Sequence, residues 1–246
     1  MTRQFALPCL CILFLSACAG DNDFSAYKSP ERHYERATAT KNTRFEVYDP
    51  IEETNRNIYK FNAKFDKYFF LPIADAYDFL MPDYANDRIS HFFSNIGEFK
   101  NVTNSALQGK PDKAFTGIGR FAINSSVGVL GLYDPATEIG LEQNKEDFGQ
   151  TLGVWGIAPG AYLVLPVLGP SNVRDTVGTV VDAVAFSLVV PNKIEDKTAY
   201  KIVQYGIQPV HARANNSFRY HGTGSPFEYE LVRFAVTEGR QMAVTE

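Results

Sequence analysis

Apolar residues along the chain recur at three- and four-residue spacing in several separate stretches, each cut off by proline or glycine. Ile58, Phe61, Phe65, Tyr68 and Phe69 fall on one helical face. The helix opens at Tyr48-Asp49-Pro50, where Asp49 can cap, Pro50 takes the first helical position and Glu52 follows three residues after the cap. It ends at Leu71-Pro72, and a second helix from about Ile73 to Leu80 stops at Met81-Pro82. From Asp83, Ile89, Phe92, Phe93 and Ile96 make another amphipathic face, continued by Phe99, Val102, Ala106 and Leu107 as far as Gly109. Pro111 opens a helix with Ala114, Phe115, Ile118, Phe121, Ala122 and Ser125 on one side. Past Arg120 the run FAINSSVGVLGLY lacks charge until Asp134. It is too short to span a bilayer and too glycine-rich for a strong soluble helix, so it is a candidate for a membrane-embedded or tightly packed one.

The longest uncharged stretch, FGQTLGVWGIAPGAYLVLPVLGPSNV (residues 148–173), lies between Glu146-Asp147 and Arg174-Asp175. Roughly 20 apolar residues can cross a bilayer as a helix. Glycines at 149, 153, 156, 160 and 169 and prolines at 159, 166 and 170 exclude one continuous helix here. Irregular backbone at membrane depth is tolerated only inside protein or along a cavity, so the run belongs in a crowded core or in the wall of an apolar passage. A short strand is possible at residues 162–165, ended by Pro166. Ser171 or Asn172 can start a helix carrying Val173, Val177, Val180, Val181, Val184 and Leu188, which stops at Val190-Pro191. A shorter segment follows at about residues 196–205, then a loop at 212–225. Ser225-Pro226-Phe227-Glu228 reads as a capping box before a last helix through Leu231 and Phe234. The class is all-α.

Composition adds the compartment. The net charge of -4 falls to -5 once residues 1–17, whose one charged side chain is Arg3, are removed. That argues against nucleic acid, which calls for a basic footprint, and leaves no polybasic membrane patch. Arg3, an apolar segment at residues 5–17 and Cys18 read as a secretory signal. Leu15-Ser16-Ala17-Cys18 matches the bacterial lipobox, which makes Cys18 the lipidated residue of the mature chain. Cys9 and Cys11 leave with the signal, so no disulfide and no cysteine metal site remain. Acyl chains bury roughly 0.8 kcal/mol per methylene, and three of them hold a lipoprotein firmly. Ala19, in place of aspartate, points to export to the outer membrane. The chain thus divides into a lipoprotein signal peptide (1–17), a lipidated cysteine with a disordered tether (18–45) reaching roughly 30 Å, and one helical domain (46–246).

Catalytic motifs are absent: there is no GxSxG elbow, Walker loop, GxGxxG or HExxH. His33, His91, His211 and His221 share no ligand spacing and read as solvated or hydrogen-bonded residues. Asp147 and Asp175 border the uncharged run, where a helix start and a first-turn acid explain them better than acid–base chemistry. No enzyme, metal or cofactor is implied. Gly149, Gly153, Gly156 and Gly160 let backbones approach closely, and Trp155 and Tyr162 suit either a membrane interface or the core. A lipid-anchored helical domain with this much apolar surface suggests holding or passing lipids.

Four segments carry a family resemblance: DPIEETNRNIYKFN (49–62), FFSNIGEFKNVTNSALQGK (92–110), GRFAINSSVGVLGLYDPA (119–136) and EDFGQTLGVWGIAPGAYLVLPVLGPSNVRDTVG (146–178). With the lipobox, they make the chain resemble the MlaA (VacJ) family of outer-membrane lipoproteins over roughly residues 48–240. The resemblance implies a ring of amphipathic helices embedded in the inner leaflet of the outer membrane, around a central amphipathic channel. It also implies association with trimeric porins. Mislocalised phospholipid would be taken from the outer leaflet and passed to a periplasmic lipid carrier, which feeds an inner-membrane ABC transporter. Phe61-Asn62 looks like the family's Phe-Asn motif near the channel, a gating position; Arg174-Asp175 would offer polar groups to a headgroup; and Phe148, Gly149, Trp155 and Gly160 would line the wall. The tether before Tyr48 is longer than the family pattern, and no acidic tail follows Arg240, which bears on coupling to the carrier. Two other readings stand beside this one: an envelope lipoprotein scaffolding a porin complex, with a solid core at 148–173, and a lipid hydrolase, which lacks a nucleophile motif.

Overall fold

The computed structural model describes residues 47–222 and 224–246. The signal peptide, Cys18 and the tether therefore lie outside the described residues. Glu52 and Glu53 at the start of α1 (Glu52–Phe65) and Lys64 at its end complement the helix dipole. Asp49 does not cap it, contrary to the sequence expectation: the cap position is Ile51, without a side-chain bond. Asp49 instead accepts hydrogen bonds from Asn55 Nδ2 (2.8 Å), Tyr229 OH (2.6 Å) and Arg233 Nη1 (3.1 Å), so long-range partners outbid the local cap.

Nor does the helix break at Leu71-Pro72. A π turn (Asp66–Phe70) carries it straight into α2 (Leu71–Leu80), with Leu71 N–H donating to the carbonyl of Asp66, five residues back. A proline ring clashes with the preceding turn of a regular helix and lacks an N–H; the wider turn relieves both problems. The same device recurs later. A π turn (Val203–Ile207) precedes Gln208-Pro209, so the segment expected at residues 196–205 runs on beyond it.

After α3 (Asp83–Leu107) and α4 (Pro111–Ser126), packed side by side, the expected continuation of α4 fails. Residues 127–133 form a series of turns. Gly128 sits where a Cβ would lie 2.4 Å from the carbonyl of Tyr133, and Val129 and Leu130 adopt left-handed φ of 53° and 59°. The turns leave Val127, Val129 and Leu130 exposed. Short α5 (Pro135–Glu138) and α6 (Phe148–Val154) lead to the hairpin β1 (Tyr162–Leu165) and β2 (Gly169–Asn172), antiparallel, with Tyr162 opposite Asn172. Next come α7 (Val173–Val189), α8 (Asn192–Glu195), α9 (Thr198–Ile202), α10 (Gln208–Ala214) and α11 (Glu228–Thr245). The cap position of α11 is Phe227, without a side-chain bond, rather than Ser225. Glu228 is buried and accepts from Tyr59 OH (2.6 Å) and His221 N–H (2.7 Å).

Apart from the hairpin, the described fold is all-α, as expected. Its packing contacts close a circuit: α1 on β1, β2 on α11, α11 on α6, α6 on α3, α3 on α10, and α10 on α2, which returns to α1 through the π turn. No described helix is long and apolar enough to cross a membrane.

Burial is inverted. Among the described residues other than glycine, eight apolar ones are buried, led by the cluster Tyr59, Tyr162, Val164 and Tyr229, against nineteen polar or charged ones. Lys, Glu, Arg and Asp are almost never fully buried in water-soluble domains unless paired. Here Glu98, Arg120, Glu146, Arg174 and Asp175 all are, while Phe79, Phe115, Leu130, Leu168 and Leu188 stand more than 70% exposed.

Candidate functional site

Two glycines set the geometry. α6 and α7 approach so closely that a Cβ on Gly178 would lie 2.3 Å from the Gly149 nitrogen and 2.7 Å from its Cα. One on Gly149 would meet Asp175 Oδ1 at 2.5 Å. The close approach brings Asp147, the cap of α6, and Asp175, in the first turn of α7, to one arginine of α11. Arg240 forks onto Asp147 (Nη1–Oδ2 2.7 Å, Nη2–Oδ1 2.8 Å) and donates from Nε to Asp175 Oδ2 (2.7 Å). Asp175 also accepts from Arg174 Nε (2.9 Å) and Asn172 Nδ2 (2.7 Å). Burial opposes the ionisation of both carboxyls, but the bonds from Arg240 outweigh it and hold each below the usual carboxylate range. Gly178→Ala should destabilise the protein by about 3 kcal/mol, since its neighbour is backbone and cannot swing aside. Thermal melts check this; a loss under about 1 kcal/mol would show that α6 and α7 can part.

Asp147 starts α6, and Asp175 is a first-turn acid of α7 paired with Arg174, as the sequence suggested. Asp147 Oδ1 accepts from Gln150 N–H (2.9 Å), and Asn172 Oδ1 accepts from Asp175 N–H (2.8 Å) to start α7. A cavity of about 270 Å³ opens on the carboxylate side of the cluster, lined by Lys100, Asp147, Asp175 and Asp182 among others. A second, of about 220 Å³, opens beside Arg174, Gly153 and Gly156. Arg240 borders both.

The structure separates Phe61 from Asn62. Phe61 is half exposed and stacks on Phe65 at 5.8 Å. Asn62 is buried, donating from Nδ2 to the Leu165 carbonyl (2.9 Å) and accepting Val167 N–H at Oδ1 (2.8 Å). Asn55, two turns earlier on the same face, does the same for β1 through Val164 N–H (2.9 Å) and the Tyr162 carbonyl (3.0 Å). The two asparagines clasp the hairpin against α1. Asn62→Ala should therefore cost about 2 kcal/mol, because it orphans a donor and an acceptor, whereas Phe61→Ala should cost under about 1 kcal/mol. Equal losses on denaturation would contradict this division.

Trp155 is half exposed, its Nε1 donating to the Leu107 carbonyl (3.1 Å), with Phe148 edge-on at 6.0 Å. Tyr162 is core. Gly156 and Gly160 both take positive φ. Gly156 closes α6 with a Schellman turn, its N–H reaching the Gly153 carbonyl and that of Ile157 reaching Leu152. Among the described histidines, His211 is buried between Tyr77 OH (2.9 Å) and Ser90 Oγ (3.0 Å). No described group of His, Cys, Asp or Glu could hold a metal. The sequence reading missed Arg240, Asn55 and the Arg120 network as determinants. Two asparagines at seven-residue spacing, on the same helical face as Tyr59, were the available signal for Asn55 and Asn62.

The family model described as MlaA lipoprotein matches residues 47–243. The chain belongs to the MlaA lipoprotein family. A Haemophilus influenzae relative, the intermembrane phospholipid transport system lipoprotein MlaA, is 29% identical over 97% of this chain and 92% of its own length. The Escherichia coli protein of that name is 33% identical over 54% of this chain and 55% of its own. An uncharacterised Rickettsia prowazekii protein is 38% identical over 65% of this chain. The chain spans 51% to 66% of the length of the Rickettsia relatives it matches. A solved structure described as the structural basis for maintenance of bacterial outer membrane lipid asymmetry superposes with a TM-score of 0.63 at 27% identity, covering 80% of this chain and 98% of that one. The MlaA relatives carry the name of a transport system, not of an enzyme.

Proposed function

We propose that the protein is an outer-membrane lipoprotein, anchored through Cys18, whose helices lie flat in the inner leaflet and pass phospholipid through a central passage to a periplasmic carrier. The observation that carries this reading is the inversion of burial: buried side chains are mostly polar and bonded to one another, while large apolar side chains line the outside. In water such a surface would aggregate, since exposed apolar patches on soluble monomers stay small. Against acyl chains the apolar exterior is in its own solvent. Helices held together by directional hydrogen bonds and ion pairs need no hydrophobic driving force between them. The closed circuit of contacts is compatible with a passage, along which the Arg240 cluster and the residue 148–173 segment would give a polar headgroup a path that its acyl tails can follow outside.

The chain has no nucleotide-binding motif, so any driving force comes from partners: a trimeric porin in the membrane, and the carrier and ABC transporter beyond it. The test is a deletion strain complemented with this chain. Outer-leaflet phospholipid should rise on deletion and fall back on complementation, and the purified mature protein should carry phospholipid. Unchanged outer-leaflet phospholipid together with lipid-free protein would defeat the proposal. Normal lipid asymmetry with a lost porin complex would favour a scaffold instead.

A further inference from the structure

The cavity beside Arg174 differs in kind from its neighbour. Asp147 and Asp175 turn their carboxylates toward the larger cavity, while the 220 Å³ one is walled by Arg174 and Arg240, by Thr237, Gln241 and Thr245, and by no carboxylate side chain. Arg174 is 93% buried, its relative exposure being 7%. Its Nε is taken by Asp175 and its Nη1 has only a 3.5 Å contact with the Ile157 carbonyl. Nη2 has no hydrogen-bond partner among the described residues. The unused donors of this largely buried guanidinium are open to the cavity, and its planar fork matches two oxygens of a phosphate. The carbonyls at the end of α6, which would repel an anion, are closed off by the Schellman turn at Gly156. Asn172, Gly153 and Gly156 complete the wall, and Ile157, Ala158, Pro159 and Val244 make part of it apolar.

We infer that this cavity binds a phosphate group, with Arg174 as its principal donor and Arg240 as the second cation. The apolar wall suits the glycerol and first methylenes of a phospholipid; that identity of the natural ligand rests on the transport reading above, and the phosphate chemistry does not.

Gln241 allows a test that leaves the ion pairs intact, because it is exposed and its side chain makes no hydrogen bond among the described residues. The mature full chain in micelles is titrated with inorganic phosphate and, separately, with dihexanoylphosphatidylglycerol, by calorimetry and by the fluorescence of Trp155, the single tryptophan, next to Gly156 of the cavity wall. A unit charge placed roughly 8 Å from the anion at intermediate dielectric changes binding roughly fivefold. Gln241→Lys should tighten and Gln241→Glu weaken binding by that factor, and Arg174→Lys, which keeps the charge and loses the fork, should weaken it further. Binding of the lipid alone identifies a headgroup site, binding of both a general phosphate site, and binding of the inorganic ion alone a site for free phosphate. No binding of either, or equal affinity for Gln241, Lys and Glu, overturns the inference. If the charge series is flat while the protein still co-purifies with phospholipid, the transport reading survives and this site does not.

Discussion

Arg120→Met is expected to lower stability by about 3–5 kcal/mol, the loss typical of removing one member of a buried ion-pair network. Arg120 lies on α4, 2% exposed. It donates to Glu98 of α3 (2.8 Å), Asp134 (2.9 Å), Thr137 (2.8 Å) and the Leu141 carbonyl. Without it, Glu98, 1% exposed, becomes an uncompensated buried charge. Arg56→Met is the control. Its pairs with Glu52 and Glu230 are partly solvated, and the loss should stay near 1 kcal/mol. Chemical denaturation in micelles measures both, and similar losses would show that burial of the Arg120 network contributes nothing special. Acid offers a second readout. Burial opposes the ionisation of Asp134, but bonds from Thr137, Arg120 and Asn124 outweigh it and bring its pKa from 3.8 down to about 2. A carboxyl depressed in the folded state stabilises above its unfolded pKa and loses that contribution as pH falls through its folded one. Wild type should therefore lose stability between about pH 4 and 2, and Arg120→Met should lose less across that window.

Phe115→Asp combined with Ile118→Asp should reduce vesicle binding at least a hundredfold while leaving the melting temperature nearly unchanged. Both residues lie on the outer side of α4, 72% and 50% exposed, with little packed against them. A carboxylate at the bilayer centre costs about 2.5–3.5 kcal/mol; two at shallower depth still cost about 3 kcal/mol, or two orders of magnitude. The measurement is flotation with vesicles of the Cys18→Ser chain, which lacks the acyl anchor. A water-soluble bundle would give the opposite result: no change in flotation, and better solubility.

These contrasting outcomes show which parts of the chain can be read from sequence. Spacing of apolar residues located α3, α4 and α7 because a helix with one apolar stripe announces itself wherever that stripe faces. Local capping was legible at Asp147 and Asn172, whose partners are three residues away. It misled at Asp49 and Glu228, whose partners lie far along the chain. The strand Gly169–Asn172 has almost no β propensity and exists because Tyr162–Leu165 pairs with it. Proline was over-read at Pro72, since a π turn that admits it leaves no mark in the residue pattern. As for the site, Arg174-Asp175 stood out beside the uncharged run, and Arg240, 65 residues from Asp175, did not.

The inverted interior has an evolutionary corollary. In an ordinary globular domain the surface drifts freely and the core must keep its volume. On the proposed membrane placement the outward positions on α4 and α7 need only stay oily, so Phe115, Val180 or Leu188 can exchange with any residue of that character. The interior is read letter by letter: an amide shortened or lengthened by one methylene at Asn55, Asn62 or Asn104 no longer reaches its partner. Sequence drift should accumulate on the exposed apolar faces and stall where the chain meets itself.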